Sequence, residues 1–361
     1  MLANANAVAA ALHRVSPRLP VVLSLGHLAH LADVNYTFLR QVVSRDPGAD
    51  TYRFFQLKKK NVGHASDRFR TICVPSPALL KVQRWIHTNI LREVVPHGAS
   101  YAYEPGVNSL EMAQLHCGAK WLIKLDITSF FESVLEPEVY KVFRGLGYQP
   151  LVAFEMTRVC TRLRTSKNPS SQRRDRHPRI RQYTNAFMGH LPQGAPTSPM
   201  LANLACRSLD EALEALATKT GLIYTRYADD LTFSTRSETF SNAQARAFVR
   251  SVYAVLLRQG FFPNYAKSRI HPPGARKVVL GLLVDGAEPK LTREFRDRLR
   301  MHIHFCEYTA IGPVLHATNR GFDSVLGLQR HLFGLAAYAQ SIDRTLGTAY
   351  LDRLRKIDWP T

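Results

Sequence analysis

The stretch Leu222-Ile223-Tyr224-Thr225-Arg226-Tyr227-Ala228-Asp229-Asp230-Leu231-Thr232-Phe233-Ser234 reads as two short apolar strands on either side of an acidic pair. Consecutive strand residues face opposite sides of a sheet, so neighbouring aspartates converge only where the chain reverses. A hairpin tip between Leu222–Arg226 and Leu231–Ser234 supplies that reversal. Two carboxylates at such a tip form a metal-holding arrangement. Taken alone the Tyr227-Ala228-Asp229-Asp230 pattern is weak, because many acidic turns are no more than solvated.

Upstream, Trp121-Leu122-Ile123-Lys124-Leu125-Asp126-Ile127-Thr128-Ser129-Phe130-Phe131 reads as a buried strand that delivers Asp126 at its C-terminal end and is followed by two aromatics. A third carboxylate is thereby available. Phosphoryl transfer with two magnesium ions needs hard oxygen ligands shared between the ions, and Asp126, Asp229 and Asp230 meet that need. An aspartate at a strand-to-helix corner also serves as an ordinary cap for a helix beginning near Ser129, and spacing alone leaves both readings open.

Between these segments lies Leu191-Pro192-Gln193-Gly194-Ala195-Pro196-Thr197-Ser198-Pro199-Met200-Leu201-Ala202-Asn203. Its prolines stiffen a loop, and a helical pattern resumes at Pro199 with Ser198 as the expected N-cap. Gly194 lets backbone approach a ligand closely, and Gln193 can hydrogen-bond a nucleotide.

Together the three segments resemble the polymerase core of reverse transcriptases, in detail the bacterial retron-type group, from about residue 20 to the C-terminal region. Arg70-Thr71-Ile72-Cys73-Val74-Pro75 and Leu80-Lys81-Val82-Gln83-Arg84 are similar to the family's fingers patterns R-x-I-x-x-P and L-K-x-x-Q-R. Asn264-Tyr265-Ala266-Lys267 is similar to its N-x-x-K motif, and Val279-Leu280-Gly281-Leu282-Leu283-Val284 to the hairpin that grips the primer. Retron enzymes generally carry N-A-x-x-H where this chain has Met112-Ala113-Gln114-Leu115-His116, and V-T-G where it has Val279-Leu280-Gly281. The resemblance is therefore set at retrons and related defence-associated enzymes together.

The resemblance implies an α+β right-hand polymerase: a helical N-terminal extension over residues 1–50, fingers over 51–125, a palm with an antiparallel sheet over 126–285, and a helical thumb over 286–361. It implies an RNA-directed DNA polymerase using two Mg2+ ions, with Mn2+ as substitute, held by Asp126, Asp229 and Asp230, with the Ile127 carbonyl completing the nucleotide-side ion. Arg70 is the implied triphosphate contact. Phe131 takes the position that stacks under the deoxyribose and rejects a 2′ hydroxyl, and Gln193 touches nucleotide or template. Lys267 acts either as acid to pyrophosphate or as charge alone.

The expected partners are a structured noncoding RNA template, the RNA/DNA duplex product, deoxynucleoside triphosphates and an effector protein. Two rival classes use the same fold. A template-independent or RNA-synthesising polymerase is disfavoured by the aromatic Phe131, and a non-catalytic RNA-binding scaffold by the presence of all three aspartates.

Composition agrees with a nucleic-acid partner. Forty-eight Lys and Arg against 28 Asp and Glu give a formal charge of +20, which favours a polyanion through counterion release. The five cysteines lack C-x-x-C spacing, so neither a zinc site nor a disulfide framework is indicated. No apolar run approaches a membrane span, and the alanine-rich N-terminus lacks the charged start of a secretion signal; the expectation is a cytoplasmic protein without membrane contact. The chain ends at Thr361 without a second carboxylate cluster, so removal of template RNA is expected to fall to another protein, and an endonuclease or maturase region has no room.

Leu23, Leu28, Leu31 and Val34 suggest an amphipathic packing face in the N-terminal extension. The 162–182 insertion, with Arg173, Arg174 and Arg176 at its centre, carries many cations and few apolar residues. It reads either as a loop that grips structured RNA through phosphates or as a disordered insertion without a specific partner. In the thumb, Phe295, Leu299, Ile303 and Cys306 recur at helical spacing while Arg293, Arg296 and Arg300 share another face. That basic face reads either as a duplex-backbone contact or as ordinary surface decoration. His116 and His190 have no metal-ligand spacing and read as structural.

Overall fold

The structure is a computed structural model that describes residues 2–49, 51–58, 69–104, 106, 108–163, 188–308 and 310–360. Arg173, Arg174 and Arg176 lie outside the described residues. In chain order the elements are α1 (Leu2–Val15), α2 (Leu25–Leu31), α3 (Tyr36–Ser44), β1 (Tyr52–Lys58), β2 (Phe69–Pro75), α4 (Pro77–Asn89), α5 (Ser109–Leu115), β3 (Trp121–Asp126), α6 (Phe130–Ser133), α7 (Glu136–Gly145) and α8 (Pro150–Cys160). Beyond the insertion follow α9 (Ser198–Ala205), α10 (Arg207–Lys219), β4 (Ile223–Tyr227), β5 (Asp230–Thr235), α11 (Asn242–Arg258) and β6 (Arg269–His271). The last stretch holds β7 (Val278–Val279), β8 (Leu282–Leu283), β9 (Lys290–Leu291), α12 (Arg293–Glu307), α13 (Gly312–Asn319), α14 (Val325–Ile342) and α15 (Arg344–Arg355).

The strands form an antiparallel pair β1-β2, a four-stranded sheet in the order β4-β5-β3-β6, and a three-stranded sheet β7-β8-β9. Strand β3 owes its place beside β5, inside the second sheet, to its composition. Leu122, Ile123 and Leu125 are buried, and a strand apolar on both faces is stable only with neighbours and cover on each side.

Contacts divide the chain into two compact units. The larger comprises Met1–Val107, Lys124–Thr232 and Ala243–Arg269. Its helical core draws on Leu28, Leu39, Leu79, Val82, Ile86, Phe143 and Met156, all within 1% of complete burial. Each such side chain contributes about 1.5–3 kcal/mol relative to exposure. Of the four residues expected on the N-terminal packing face, Leu28 is buried whereas Leu23 is 41% exposed, because Leu23 precedes α2 and does not share its periodicity. Gln83 donates from Nε2 to the Tyr52 hydroxyl and the Val159 carbonyl, each at 2.9 Å, fastening α4 to β1 and α8. At the base of the arginine-rich insertion, Arg162 and His190 exchange backbone hydrogen bonds at 3.0 Å, and Arg45 donates to Thr161 and Glu136 beside them.

The smaller unit comprises Asn108–Ile123, Phe233–Asn242 and Ile270–Thr361. In α12 the expected apolar stripe is present, with Leu299, Ile303 and Cys306 buried. Helices α14 and α15 pack so closely that a Cβ on Gly347 would stand 2.1 Å from the Gln340 Cα, so only glycine fits there. All five cysteines are free and buried.

The expected N-cap of α9 is displaced by one residue. The helix begins at Ser198 with Thr197 as the capping position, and the Ser198 hydroxyl donates 2.7 Å back to the Pro192 carbonyl. The hydroxyl closes the proline-rich loop instead of capping the helix.

Candidate active site

Asp126 is 4% exposed at the end of β3, and its position is set by main-chain stitching rather than by a cap. The Ile127 N–H donates to the Asp229 carbonyl at 3.0 Å, joining the end of β3 to the turn between β4 and β5. Ala228 enters that turn with φ +55°, a left-handed conformation that lets the hairpin reverse in two residues. Adjacent carboxylates on Asp229 and Asp230 thus come to the end of the strand that carries Asp126. The segment after α11 supplies the counterparts: Asn264 donates from its backbone to the Asp126 carbonyl at 2.7 Å and from Nδ2 to Oδ1 at 2.9 Å, and Lys267 Nζ stands 2.7 Å from Oδ2.

The electrostatics follow from burial together with the charges of the neighbouring groups. Burial, then the charges of Asp126 and Asp230, push the Asp229 pKa up to about 6. Burial also raises Asp230, with Lys124 opposing and Asp126 adding to the shift. For Lys267, burial works against the ammonium, but the hydrogen bond and charge of Asp126, with Asp229 and Asp230, hold its pKa above the ordinary value. Among the described residues, no three acidic, imidazole or thiol groups are gathered closely enough to enclose an ion. Asp126 is held toward Asn264 and Lys267 instead. The donor set still fits hard divalent cations, being oxygen-only and carrying an excess of negative charge.

The other expected residues differ in burial and in partners. Phe131 is half-buried, with its ring 6.2 Å from that of Tyr103, whereas Phe130 is buried and stacked on Phe261. Gln193 is half-buried, and its carbonyl accepts from the Cys73 N–H at 2.7 Å, docking the proline-rich loop on β2, the strand that carries exposed Arg70. Gly194 is needed for that docking. At φ +115° a Cβ would meet the Cys73 carbonyl oxygen at 2.8 Å, so the close approach to β2 requires glycine. Ile127 is buried between the Asp229 and Pro263 segments. Arg293, Arg296 and Arg300 belong to the smaller unit, where Asp297 pairs with Arg293 at 3.2 Å and Arg300 at 3.6 Å. Their basic face is partly neutralised.

Several residues of the site carry no local signal. Arg226 is wholly buried and makes paired bonds to Asp210, Nε to Oδ1 at 2.7 Å and Nη2 to Oδ2 at 2.6 Å. Its Nη1 donates to Asn203 Oδ1 at 2.9 Å and to the Ala228 carbonyl at 3.3 Å, inside the turn that carries the acidic pair. Tyr224 adds a hydroxyl bond to Asp210 at 2.8 Å. Asn264 was legible only as part of the N-x-x-K spacing. His116 is buried with Nδ1 2.7 Å from the Ser234 hydroxyl, in keeping with a structural part.

Residues 57–278 match the family model described as reverse transcriptase (RNA-dependent DNA polymerase). The chain belongs to the reverse transcriptase family. It is 32% identical over 291 residues to the Retron Ec86 reverse transcriptase of Escherichia coli, covering 80% of each chain. It is 32% identical over 303 residues to the Retron Mx162 reverse transcriptase of Myxococcus xanthus, covering 80% of this chain and 58% of that one. Among solved structures, telomerase from Candida albicans overlaps 83% of this chain and 56% of its own, with a TM-score of 0.45 and 11% identity. The reverse transcriptase has the family's right-hand polymerase fold of mixed helix and sheet, and its activity is RNA-directed DNA synthesis. The family's reaction employs divalent metal ions, an RNA template and nucleotide substrates. No helix among the described residues is long and apolar enough to cross a membrane.

Proposed function

We propose that this reverse transcriptase copies a dedicated structured noncoding RNA into DNA within a retron-like antiviral defence system, in the cytoplasm and alongside an effector protein. The single observation that supports the chemistry best is the stitching of Ile127 to Asp229, which puts Asp126 beside Asp229 and Asp230. These carboxylates, with the Ile127 carbonyl, would hold two Mg2+ ions, for which Mn2+ substitutes. When bound, such ions lower the pKa of the primer hydroxyl and neutralise charge on the triphosphate.

The chain's own groups do the rest. Asn264 and Lys267 fix the Asp126 carboxylate at both oxygens. Lys267 carries the charge and the proton that a departing pyrophosphate takes up. Arg70, on β2, meets the triphosphate, and Gln193 meets nucleotide or template from the loop docked on that strand. In this reading residues 1–50 extend the fingers at 51–125, the palm spans 126–285 and the thumb 286–361, with Arg293, Arg296 and Arg300 on the duplex backbone.

Phe131 sets the sugar preference. Its half-buried ring, rather than the buried Phe130, is the one able to meet a ribose. Phe131→Val should raise ribonucleotide incorporation relative to deoxynucleotide by about tenfold or more, measured in single-nucleotide extension. An unchanged ratio would move the gate elsewhere.

The dedicated template is tested by purifying the protein from its native locus and sequencing bound nucleic acid. One dominant RNA with complementary DNA is expected, and neutralising Arg173, Arg174 and Arg176 together should weaken the complex and flatten its salt dependence. Heterogeneous cellular RNA without complementary DNA would reject the dedicated template and leave the polymerase chemistry standing.

A further inference from the structure

Three non-glycine residues with positive φ lie around the carboxylates: Tyr103 at +64°, Ser129 at +49° and Ala228 at +55°. Ser129 and Ala228 reverse the chain at strand ends. Tyr103 lies in a bend outside any helix or strand, and a left-handed conformation at an aromatic residue costs about 1–2 kcal/mol. Burial of the ring does not offset that cost, since the residue is 42% exposed.

A buried network holds the backbone that leads to Tyr103. The Arg226 N–H donates to the Ala99 carbonyl at 2.7 Å, and the Tyr101 N–H to the Arg226 carbonyl at 2.8 Å. Asn203 Nδ2 donates to the Ala102 carbonyl at 2.6 Å while its Oδ1 accepts from Arg226. Arg226, Asn203 and Asp210 are all wholly buried, so the strand before the acidic turn and the segment ending at Tyr103 are held by one set of bonds. The ring that results stands beside Phe131 at an interplanar angle of 45°. After burial, the largest influences on its phenol are the charges of Asp229 and Tyr227, with Arg70 opposing.

We infer that Tyr103 is a second nucleotide-contacting residue, whose ring and phenol join Phe131 in the wall that receives the sugar of the incoming deoxynucleoside triphosphate. The inference rests on the reading of Phe131 as the sugar gate. It explains why a strained, half-exposed aromatic is held so firmly: the wall must be in place before the substrate arrives.

The test uses the full chain with an RNA template, a DNA primer and single deoxy- or ribonucleotides. Tyr103→Gly accepts φ +64° without strain, and Tyr103→Asn tolerates it, so both variants should melt no lower than the parent. Both are expected to raise the deoxynucleotide KM about tenfold, with a smaller change in kcat, and to lower the deoxy-to-ribo preference; Tyr103→Phe reports the phenol alone. An unchanged KM and preference in both variants, with Phe131→Val still relaxing sugar choice, would overturn the assignment of Tyr103 and leave the gate. If none of the variants alters sugar choice or KM, both readings fall. A lowered melting temperature with unchanged KM would assign Tyr103 a purely structural role.

Discussion

Replacing Asp229 or Asp230 with asparagine should reduce DNA synthesis by about three orders of magnitude or more while leaving RNA binding intact. The substitution keeps volume and one oxygen but removes charge from the carboxylates proposed to hold the metal ions. RNA binding survives because it depends on Lys and Arg, which outnumber acids by 48 to 28. Stability should survive as well. Burial and the neighbouring carboxylates already push Asp229 up to about 6, so its charge is held at a cost to the fold, and Asp229→Asn removes that cost. Primer extension, filter binding and thermal melting on the same preparations check the three parts. Extension at the parental rate would sink the proposed site.

Arg226→Met should destabilise the protein by about 3–5 kcal/mol, because it leaves the Asp210 carboxylate buried with no cation beside it. The variant Arg226→Met/Asp210→Leu should recover much of that loss, since a buried pair replaced by apolar groups is often neutral. Polymerisation should recover less than stability. The double variant still lacks the donor to the Ala228 carbonyl and the bond to Asn203, so the acidic turn loses its support even in a folded protein. Urea unfolding read beside extension rates measures the two separately. Equal recovery of both would show that the network serves folding alone.

Local pattern carried the reading of the site a long way. The run of apolar residues in Trp121–Leu125 marks a strand buried on both faces, and the hairpin around Ala228-Asp229 is found with strands Ile223–Tyr227 and Asp230–Thr235 within one residue of the expected bounds. Local pattern says less where a residue serves a distant neighbour. Ser198 has the side chain of an N-cap but reaches back to Pro192, and the positive φ of Gly194 serves its close approach to Cys73. Periodicity and capping rules describe a residue against its own element, and these two residues answer to another one.

What the sequence determined by itself is therefore the strands that carry Asp126, Asp229 and Asp230 and the family to which the chain belongs, because each is written in short runs of adjacent residues. Only the tertiary structure decided what holds them. Asn264 and Lys267 reach Asp126 across 138 and 141 residues, and Asn203 reaches Ala102 across 101. Such partners are chosen by where the chain returns after folding, and a hydrogen bond or ion pair depends on a few tenths of an ångström that no local pattern encodes. The backbone leading to the left-handed Tyr103 is tied down in the same way, by Arg226 and Asn203, both distant in sequence.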